Sequence, residues 1–414
     1  MTSADRPSEP AKPSVLLINH HPYSFLLRDG RSRLPVDEAD IHLLTRSRVH
    51  GGVTGLAGHP LPHVTVCPPL PQEQWRAVSR WILRTHPVTA VAAVHERAVL
   101  LAAELRTEFG LPGTGYETAL RFRDKVLMKE AVRAAGTVEV PDFRPLGTAA
   151  DLDRVDWSTG RKVIKARREL GAKDVHFAGT LEEARRITSG LDLSGDRYEI
   201  EDFVAGRIYH CDSVVRDGRV EFRSVGRYLA NPAGYAPGGV LGTVLVTQGA
   251  LVGRISELNA TVLAALGFEN GTTHLELFHT PDDRLVFCEV AARPPGALVP
   301  QVLQAQYGFD IVETHIRLDA GLGLSPGTSL PAGTENSGTH GFVSFYPGSA
   351  AARPIDSGRF DELGIVEHVH HGHAGDGRGG VRNSTDFLDS YVVKASDEET
   401  FHGLVARIQH AYQG

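Results

Sequence analysis

The stretch THLELFHTPDDRLVFCEVAARPPG, Thr273 to Gly296, sets one glutamate in each of two β-rich runs joined by the polar turn Pro281-Asp282-Asp283-Arg284. β-Branched and aromatic residues alternate on both sides of this Pro/Asp turn, the signature of two strands joined as a hairpin. Pairing Thr280 with Leu285 across a four-residue loop puts Phe278 opposite Phe287 and Glu276 opposite Glu289. Directly opposed carboxylates are unfavourable in a sheet. A slipped register, a shared proton or a cation held by both acids would each relieve the repulsion, and only the cation gives a reason to keep both. A register off by one would send the two acids to opposite faces.

Lys165 sits in the apolar run KVIKA, where its ammonium either projects into a cleft or snorkels along a wall. The turn-rich segment after it, with Gly171-Ala172-Lys173, suits a flap whose backbone amides and lysine cover phosphates, although it has one glycine where such loops carry several. Only seven lysines occur, at positions 12, 125, 129, 162, 165, 173 and 394, so a lysine at a motif position does not reflect lysine abundance. There is no GxxxxGK[ST] and no HExxH, which excludes a P-loop and a zincin. His368, His370, His371 and His373 invite a metal, yet no cysteine or paired acid is apparent beside them, and a native metal site is not expected. The glycine-rich HAGDGRGG that begins at His373 reads as a flexible loop.

These residues must be held by a chain of 414 residues, too long for one ordinary core. A net charge of -7 with no basic block argues against nucleic-acid and membrane partners. Cys67, Cys211 and Cys288 show no CxxC spacing, and nowhere do eighteen apolar residues run uninterrupted, so a cytoplasmic protein is expected. After a polar, Pro-rich tail over 1–13, the apolar strands SVLLIN, DIHLLT, HVTVC and VTAVAAV alternate with the amphipathic helices EQWRAVSRWILRTH and ERAVLLAAELRTEFG. This alternation predicts a parallel sheet covered on both faces. A helix through KVLMKEAVRAAG, the strands KVIKA and YEIEDFV, a hairpin turning at Asp217-Gly218 and the helix ISELNATVLAALGF then lead into the two-glutamate hairpin. The last ninety or so residues read as three strands and a helix.

Taken in order, RDKVLMKEAVRAAG, VIKA, YEIEDFVAG, THLELF and FCEVAARPPG resemble the ATP-grasp superfamily of ATP-dependent ligases, from about Val88 to Gly321. The resemblance implies a mixed α/β and α+β fold: a parallel-sheet pre-ATP-grasp domain over 14–120, a small lobe over 121–198, a large lobe over 199–325 and a C-terminal α+β subdomain over 326–414. It also implies ATP and Mg2+ as cofactors. On that basis Lys125 and Lys165 look like the phosphate lysines, Gly171 and Lys173 like the flap, and Glu201 like the acceptor for the adenine amino group. The backbone around Asp202 and Val204 looks like the reader of the adenine edge. Glu276 and Glu289 look like the magnesium ligands, and Arg293 like the arginine that neutralises the transferred phosphoryl group.

Two positions depart from the family pattern. Ala291 stands where a metal-binding asparagine is usual, and Ile208 stands near the place of a ribose-binding acid, for which His210 and Asp212 are substitutes. The hairpin is most similar to the amino-acid and dipeptide ligase branch, in which a histidine such as His274 lies near the substrate carboxylate. The implied reaction joins a small carboxylic acid to an amine through an acyl phosphate, releasing ADP and phosphate. The alternatives are acyl transfer to a carrier-protein thiol, activation of bicarbonate as in biotin carboxylases, and a non-catalytic nucleotide-binding protein. Arg227, Tyr228 and Asn231 are placed near the acceptor by the same analogy, and a homodimer is the assembly that the family habit implies.

Overall fold

The computed structural model describes residues 12–46, 63–67, 71–331, 338–348, 353–371, 381 and 383–413. The N-terminal tail up to residue 11 and the loop 372–380, with His373, lie outside them. The chain divides into two compact units, residues 1–116 with 312–327, and residues 117–311 with 328–414.

In the first unit β1 (Ser14–Ile18), β4 (Asp40–Arg46), β5 (His63–Cys67) and β6 (Ala90–Ala93) form the expected parallel sheet, in the order β5-β4-β1-β6. The short β2 (Leu27–Arg28) and β3 (Arg31–Ser32) make a separate hairpin. Helices α1 (Gln72–Thr85) and α2 (Glu96–Phe109) cover the sheet, packing Trp75, Ile82, Leu101 and Leu105 on Leu16, Ile18 and Val91. Gly110 ends α2 at φ 65, a left-handed conformation that carries no Cβ penalty in glycine.

The second unit begins with α3 (Tyr116–Arg123) and α4 (Lys125–Ala134). Its small antiparallel sheet comprises β7 (Phe143–Leu146), β8 (Lys162–Ala166), β9 (Val175–Ala178) and β10 (Tyr198–Asp202), in the order β7-β10-β8-β9 and backed by α5 (Leu181–Thr188). The small lobe therefore extends through Asp202 rather than ending at 198. The large sheet has eight strands: β11 (Arg207–Arg216), β12 (Arg219–Tyr228), β13 (Val240–Leu245), β14 (Gly271–His279), β15 (Leu285–Ala291), β16 (Thr339–Phe345), β17 (Ile365–His370) and β18 (Asp389–Ala395). Their order is β15-β14-β11-β12-β13-β16-β18-β17, so the C-terminal strands extend the large lobe's own sheet. The β11–β12 turn has Asp217 at φ 51 and Gly218 at φ 72, the two positive values that a two-residue hairpin loop demands. Helix α6 (Ala250–Leu266) packs Ile255, Val262 and Leu266 into the core beneath β11 and β14, α7 (Val299–Tyr307) follows β15, and α9 (Glu398–Gln413) covers the C-terminal strands.

Residues 312–327 pack with the first unit instead of the large lobe. Helix α8 (Ile311–Asp319) supplies His315, whose Nε2 lies 3.1 Å from the Ala93 carbonyl, and Asp319, paired with Arg106 at 2.8 Å. Arg317 meets Glu38 through two bonds of 2.8 and 2.9 Å. Such long-range ion pairs leave no trace in local periodicity. Among the described residues no helix is long and apolar enough to cross a membrane.

Candidate active site

The β14–β15 pair brings Glu276 opposite Glu289, though not by the expected route. The turn is one residue longer than read from sequence. Thr280 closes it by donating its N–H to the Arg284 carbonyl at 3.0 Å and accepting the Arg284 N–H on Oγ1 at 2.9 Å. His279 therefore pairs with Leu285, Phe278 with Val286 and Leu277 with Phe287. The register then shifts at Cys288, an unpaired bulge residue that returns Glu289 to face Glu276. Burial pushes the Cys288 thiol far above its ordinary value, so it carries no thiolate beside the acids.

Each acid has one oxygen engaged by the protein. Lys125 lies 3.0 Å from Glu289 Oε2 and also donates to the Glu169 carbonyl at 3.1 Å. Burial alone would raise the Glu289 carboxyl, but the charges of Lys125 and Lys165 outweigh it and bring it down to about 2. Glu276 Oε1 accepts from the Tyr228 hydroxyl at 2.8 Å and lies 3.4 Å from His274 Nε2. Glu276 Oε2 and Glu289 Oε1 have no hydrogen-bond partner among the described residues. Two opposed carboxylates, each anchored on one side and open on the other, suit a hard cation that takes oxygen ligands.

Lys125 is the first residue of α4, and Asp124 caps that helix by accepting the N–H groups of Val126 and Leu127 at 3.1 and 3.3 Å. The same fully buried carboxylate accepts from Arg167 at 2.9 Å and Arg168 at 3.0 Å, tying the helix start to the segment beyond Lys165. Its signal in the sequence is an aspartate just before an apolar-periodic run.

Deeper in the small lobe two lysines and two glutamates form a buried quartet. Lys129 donates to Glu199 at 2.7 Å and to Glu201, while Lys165 lies 2.5 Å from Glu201 and 3.8 Å from Glu199. Burial opposes charge on both Lys165 and Glu201, yet the opposite charges win: the lysine is held well above its ordinary value and Glu201 below its own. Lys129 and Glu199 were not singled out from the sequence. Lys129 is one helical turn from Lys125, and Glu199 and Glu201 alternate on one strand face, so both periodicities were there to be read.

Asp202 pairs through its side chain with Lys162, and its backbone N–H donates to the Asp142 carbonyl at 2.8 Å. The Phe203 N–H is likewise committed to the Arg161 carbonyl, whereas the Val204 N–H has no partner among the described residues. Only Val204 of this edge retains a donor for a base. The turn after β8 bends through positive φ at Gly171, Ala172 and Asp174, and the Gly171 carbonyl accepts from the Ser384 N–H at 3.2 Å. Lys173 is exposed there and forms no ion pair among the described residues.

His210 is not available to a ribose, in contrast to the role expected of it. It is fully buried, with Nδ1 2.7 Å from Asp212 and Nε2 2.8 Å from Thr243 Oγ1. The Thr243 hydroxyl donates to the Arg227 carbonyl at 3.0 Å, so it accepts from His210, and both ring nitrogens are committed. Asp212 also accepts from His274 Nδ1 at 2.6 Å. Burial would neutralise His274, but Asp212 and Glu276 raise it to about 9, and the two histidines hold Asp212 well below the usual carboxylate range. These three residues have the spacing of a metal-ligand group. Their direct hydrogen bonds account for the buried charge without an ion.

Of the remaining expected residues, Tyr228 joins the site and Arg227 does not. Arg227 faces the other way and pairs with Glu398 and with His402 at 2.6 Å. Asn231 caps the turn at Pro232–Gly234. Ile208 pairs with Phe278 and Ala291 with His274, both on the large sheet. Arg293 is half-buried two residues beyond β15 and donates to the Pro294 carbonyl at 2.7 Å. The strand histidines do have an acid: buried Asp389 accepts from His368 and His370, each at 2.9 Å.

A two-lobed unit with a four-stranded sheet, an eight-stranded sheet and paired carboxylates on adjacent strands is the ATP-grasp architecture, and the chain has the fold of the ATP-grasp ligases. No family model matches it. It is 24% identical over 316 residues to the L-arginine-specific L-amino acid ligase of Bacillus subtilis, spanning 73% of this chain and 74% of that one. Among solved structures, the L-amino acid ligase from Bacillus licheniformis superimposes with a TM-score of 0.71 at 18% identity, covering 97% of this chain and 98% of the other. The carboxyaminoimidazole ribonucleotide synthase from Aspergillus clavatus, complexed with ATP, does so with a TM-score of 0.66 at 15% identity and 97% coverage of both. The resemblance read from the sequence is borne out, and these relatives are ligases.

Proposed function

We propose that this chain is an ATP-dependent carboxylate-amine ligase that joins an amino acid or similar small acid to an amine, releasing ADP and phosphate. The observation that carries the reading is Glu276 opposite Glu289, each with one oxygen engaged by the protein and one free of it. Those two acids would hold Mg2+, which when bound neutralises nucleotide phosphates. Lys125 and Lys165 would meet the phosphates, and Lys173 on the β8–β9 turn would cover them. Val204 would donate its N–H to the adenine edge, and Glu201 keeps lone pairs for the amino group beyond those its lysines use.

The acid substrate attacks the γ-phosphorus through a carboxylate oxygen, ADP leaves, and an acyl phosphate forms. The amine nitrogen then attacks the acyl carbon, loses a proton and expels phosphate, leaving the amide. His274, protonated at neutral pH and two residues from Glu276, supplies positive charge for the substrate carboxylate. Arg293 supplies it for the transferred phosphoryl group. The protein's contribution is position and charge neutralisation.

The test is ADP release with Mg2+ and ATP across amino acids, singly and in pairs, with product masses recorded. A pair that stimulates turnover and gives a product weighing the sum less water supports the reading. Glu289→Gln and Arg293→Ala should each lower that turnover at least about a hundredfold. Nucleotide binding with no turnover for any acid or pair would refute it.

A further inference from the structure

The register of β11 on β14 sets a His-x-Asp against a His-x-Glu. His210 lies across from Glu276 and Asp212 across from His274, and directly opposed residues share one face of a sheet. Proximity alone would therefore give Glu276 two histidine partners, His274 two residues away on its own strand and His210 from the next. Only the first contact forms among the described residues. His274 Nε2 lies 3.4 Å from Glu276 Oε1, whereas His210 turns along its own strand and puts Nδ1 2.7 Å from Asp212 Oδ2.

Three groups hold His210 in that orientation. Asp212 takes Nδ1, Thr243 Oγ1 takes Nε2 at 2.8 Å, and Gly226 leaves the space that the ring fills, since a Cβ there would fall 2.1 and 2.3 Å from two ring atoms. Asp212 is the centre of the arrangement. An ionised carboxylate only accepts, so each histidine presents Nδ1–H to it, His210 to Oδ2 and His274 to Oδ1 at 2.6 Å. Fixing Nδ1 of His274 aims Nε2, across the ring, at the corner where Glu276 Oε1 and the Tyr228 hydroxyl meet. His210, Asp212 and Thr243 are fully buried, so water does not compete for these bonds.

We propose that Asp212 is a positioning residue of the metal site: one oxygen aims His274 at Glu276, and the other withholds His210 from Glu276, which keeps an oxygen of that acid open to the cation. The proposal rests on the ligase reading above and deepens it. Partners behind a metal ligand orient it, and their loss weakens metal binding even though they never touch the ion. Asparagine at 212 would offer one acceptor oxygen and one NH2 group, so it could serve one histidine and would turn a donor toward the other. Either His274 loses its aim or His210 is freed toward the glutamate that faces it.

The experiment is calorimetric titration with a non-hydrolysable ATP analogue, once as its preformed Mn2+ complex and once metal-free in EDTA. The wild-type protein should bind the Mn2+ complex more tightly. Asp212→Asn should lower affinity for the complex at least about tenfold and leave affinity for the metal-free analogue within about twofold. A merely structural role would weaken both forms alike, or would reduce the number of competent sites without changing their affinity, which the stoichiometry reads. Equal losses for both forms, or an Asp212→Asn protein that keeps its full preference for the Mn2+ complex, would overturn the positioning role while leaving the ligase reading intact. A wild-type protein with no preference for the Mn2+ complex would overturn both. If Asp212→Asn does not fold, Thr243→Val decides, because it keeps the side-chain shape and removes only the acceptor at the far end of the chain. A loss of about two- to tenfold confined to the Mn2+ complex upholds the proposal, and no loss overturns it.

Discussion

Replacing Lys129 by methionine keeps most of the side-chain volume and removes one cation from a quartet that is closed to solvent. Lys129 and Glu199 are fully buried, and Glu201 and Lys165 are each only 6% exposed. The wild-type group balances two positive charges against two negative ones, and the variant leaves one lysine for two carboxylates. The cheapest relief at pH 7 is to protonate one of them. Bringing an ordinary glutamate, near 4.3, to neutrality at pH 7 costs about 1.4 kcal/mol per pH unit, or about 3.7 kcal/mol. That figure falls within the ~3–5 kcal/mol found when one partner of a buried pair is removed, and against a typical total stability of ~5–15 kcal/mol it is a large loss. The sign with pH follows from the proton count. The folded variant binds a proton that the unfolded chain releases above about 4.3, so the variant recovers stability as pH falls, and its deficit should shrink to about 1 kcal/mol at pH 5. Urea unfolding can be followed through Trp157, the small lobe's tryptophan, in a Trp75→Phe/Trp81→Phe background. Adding Glu199→Gln to Lys129→Met restores one charge of each sign and should return most of the loss. A deficit below about 1 kcal/mol at pH 7, or one that grows toward pH 5, would refute the charge accounting.

Three further outcomes are expected. A Cβ at Gly226 would lie 2.1 Å from His210 Nε2, so Gly226→Ala should displace the imidazole and destabilise the large lobe by about 1–3 kcal/mol in urea unfolding followed by far-ultraviolet circular dichroism. Burial, with Arg46 and Arg97 for His20 and with Lys394 for His340, lowers each histidine to about 4. Both are neutral in the fold, so the stability they contribute is present above about pH 6.5 and is lost as pH falls toward 4; replacing His340 by glutamine should flatten the thermal-melt profile across that window. Tyr228→Phe removes a hydrogen bond to a charged group, so the Mg2+ concentration for half-maximal ADP release should rise about tenfold.

Lys125, Lys165, Glu201, Glu276 and Glu289 were legible because each lies in an element whose period is clear: the start of an amphipathic helix, an apolar strand, an alternating strand, and two arms of a hairpin. The hairpin also shows the limit. Thr280 was expected opposite Leu285, but its hydroxyl and backbone close a longer turn, and a bulge at Cys288 restored the facing glutamates that a regular ladder would have separated. Turn chemistry and bulges each move the register by one residue, and here the two shifts cancel. His210 illustrates the opposite case. Its period was read correctly, placing it with Asp212 on one face, but burial against Thr243 and Gly226 depends on strands more than fifteen residues away. The acid that holds His368 and His370 was missed for the same reason: Asp389 comes from the neighbouring strand, beyond the reach of a local pattern. The packing of 312–327 on the first unit depends on Ala93, Arg106 and Glu38, all over two hundred residues earlier.

Tyr228 connects these findings, because its two ends serve separable purposes. The hydroxyl fixes one oxygen of Glu276 and shares that corner with His274, whose charge depends on Asp212. The ring borders the apolar cluster of Leu241, Tyr346 and Phe387. Phenylalanine at 228 deletes the first role and keeps the second, so it should raise the Mg2+ requirement while costing at most about 1.5 kcal/mol of stability. Phe387→Ala should do the reverse, costing about 3–5 kcal/mol through lost packing and leaving the Mg2+ requirement in place. A Phe387→Ala protein of wild-type stability with an altered Mg2+ requirement would mean that the cluster does not act as a packing unit, and the division between a carboxylate-orienting end and a packing end would have to be abandoned.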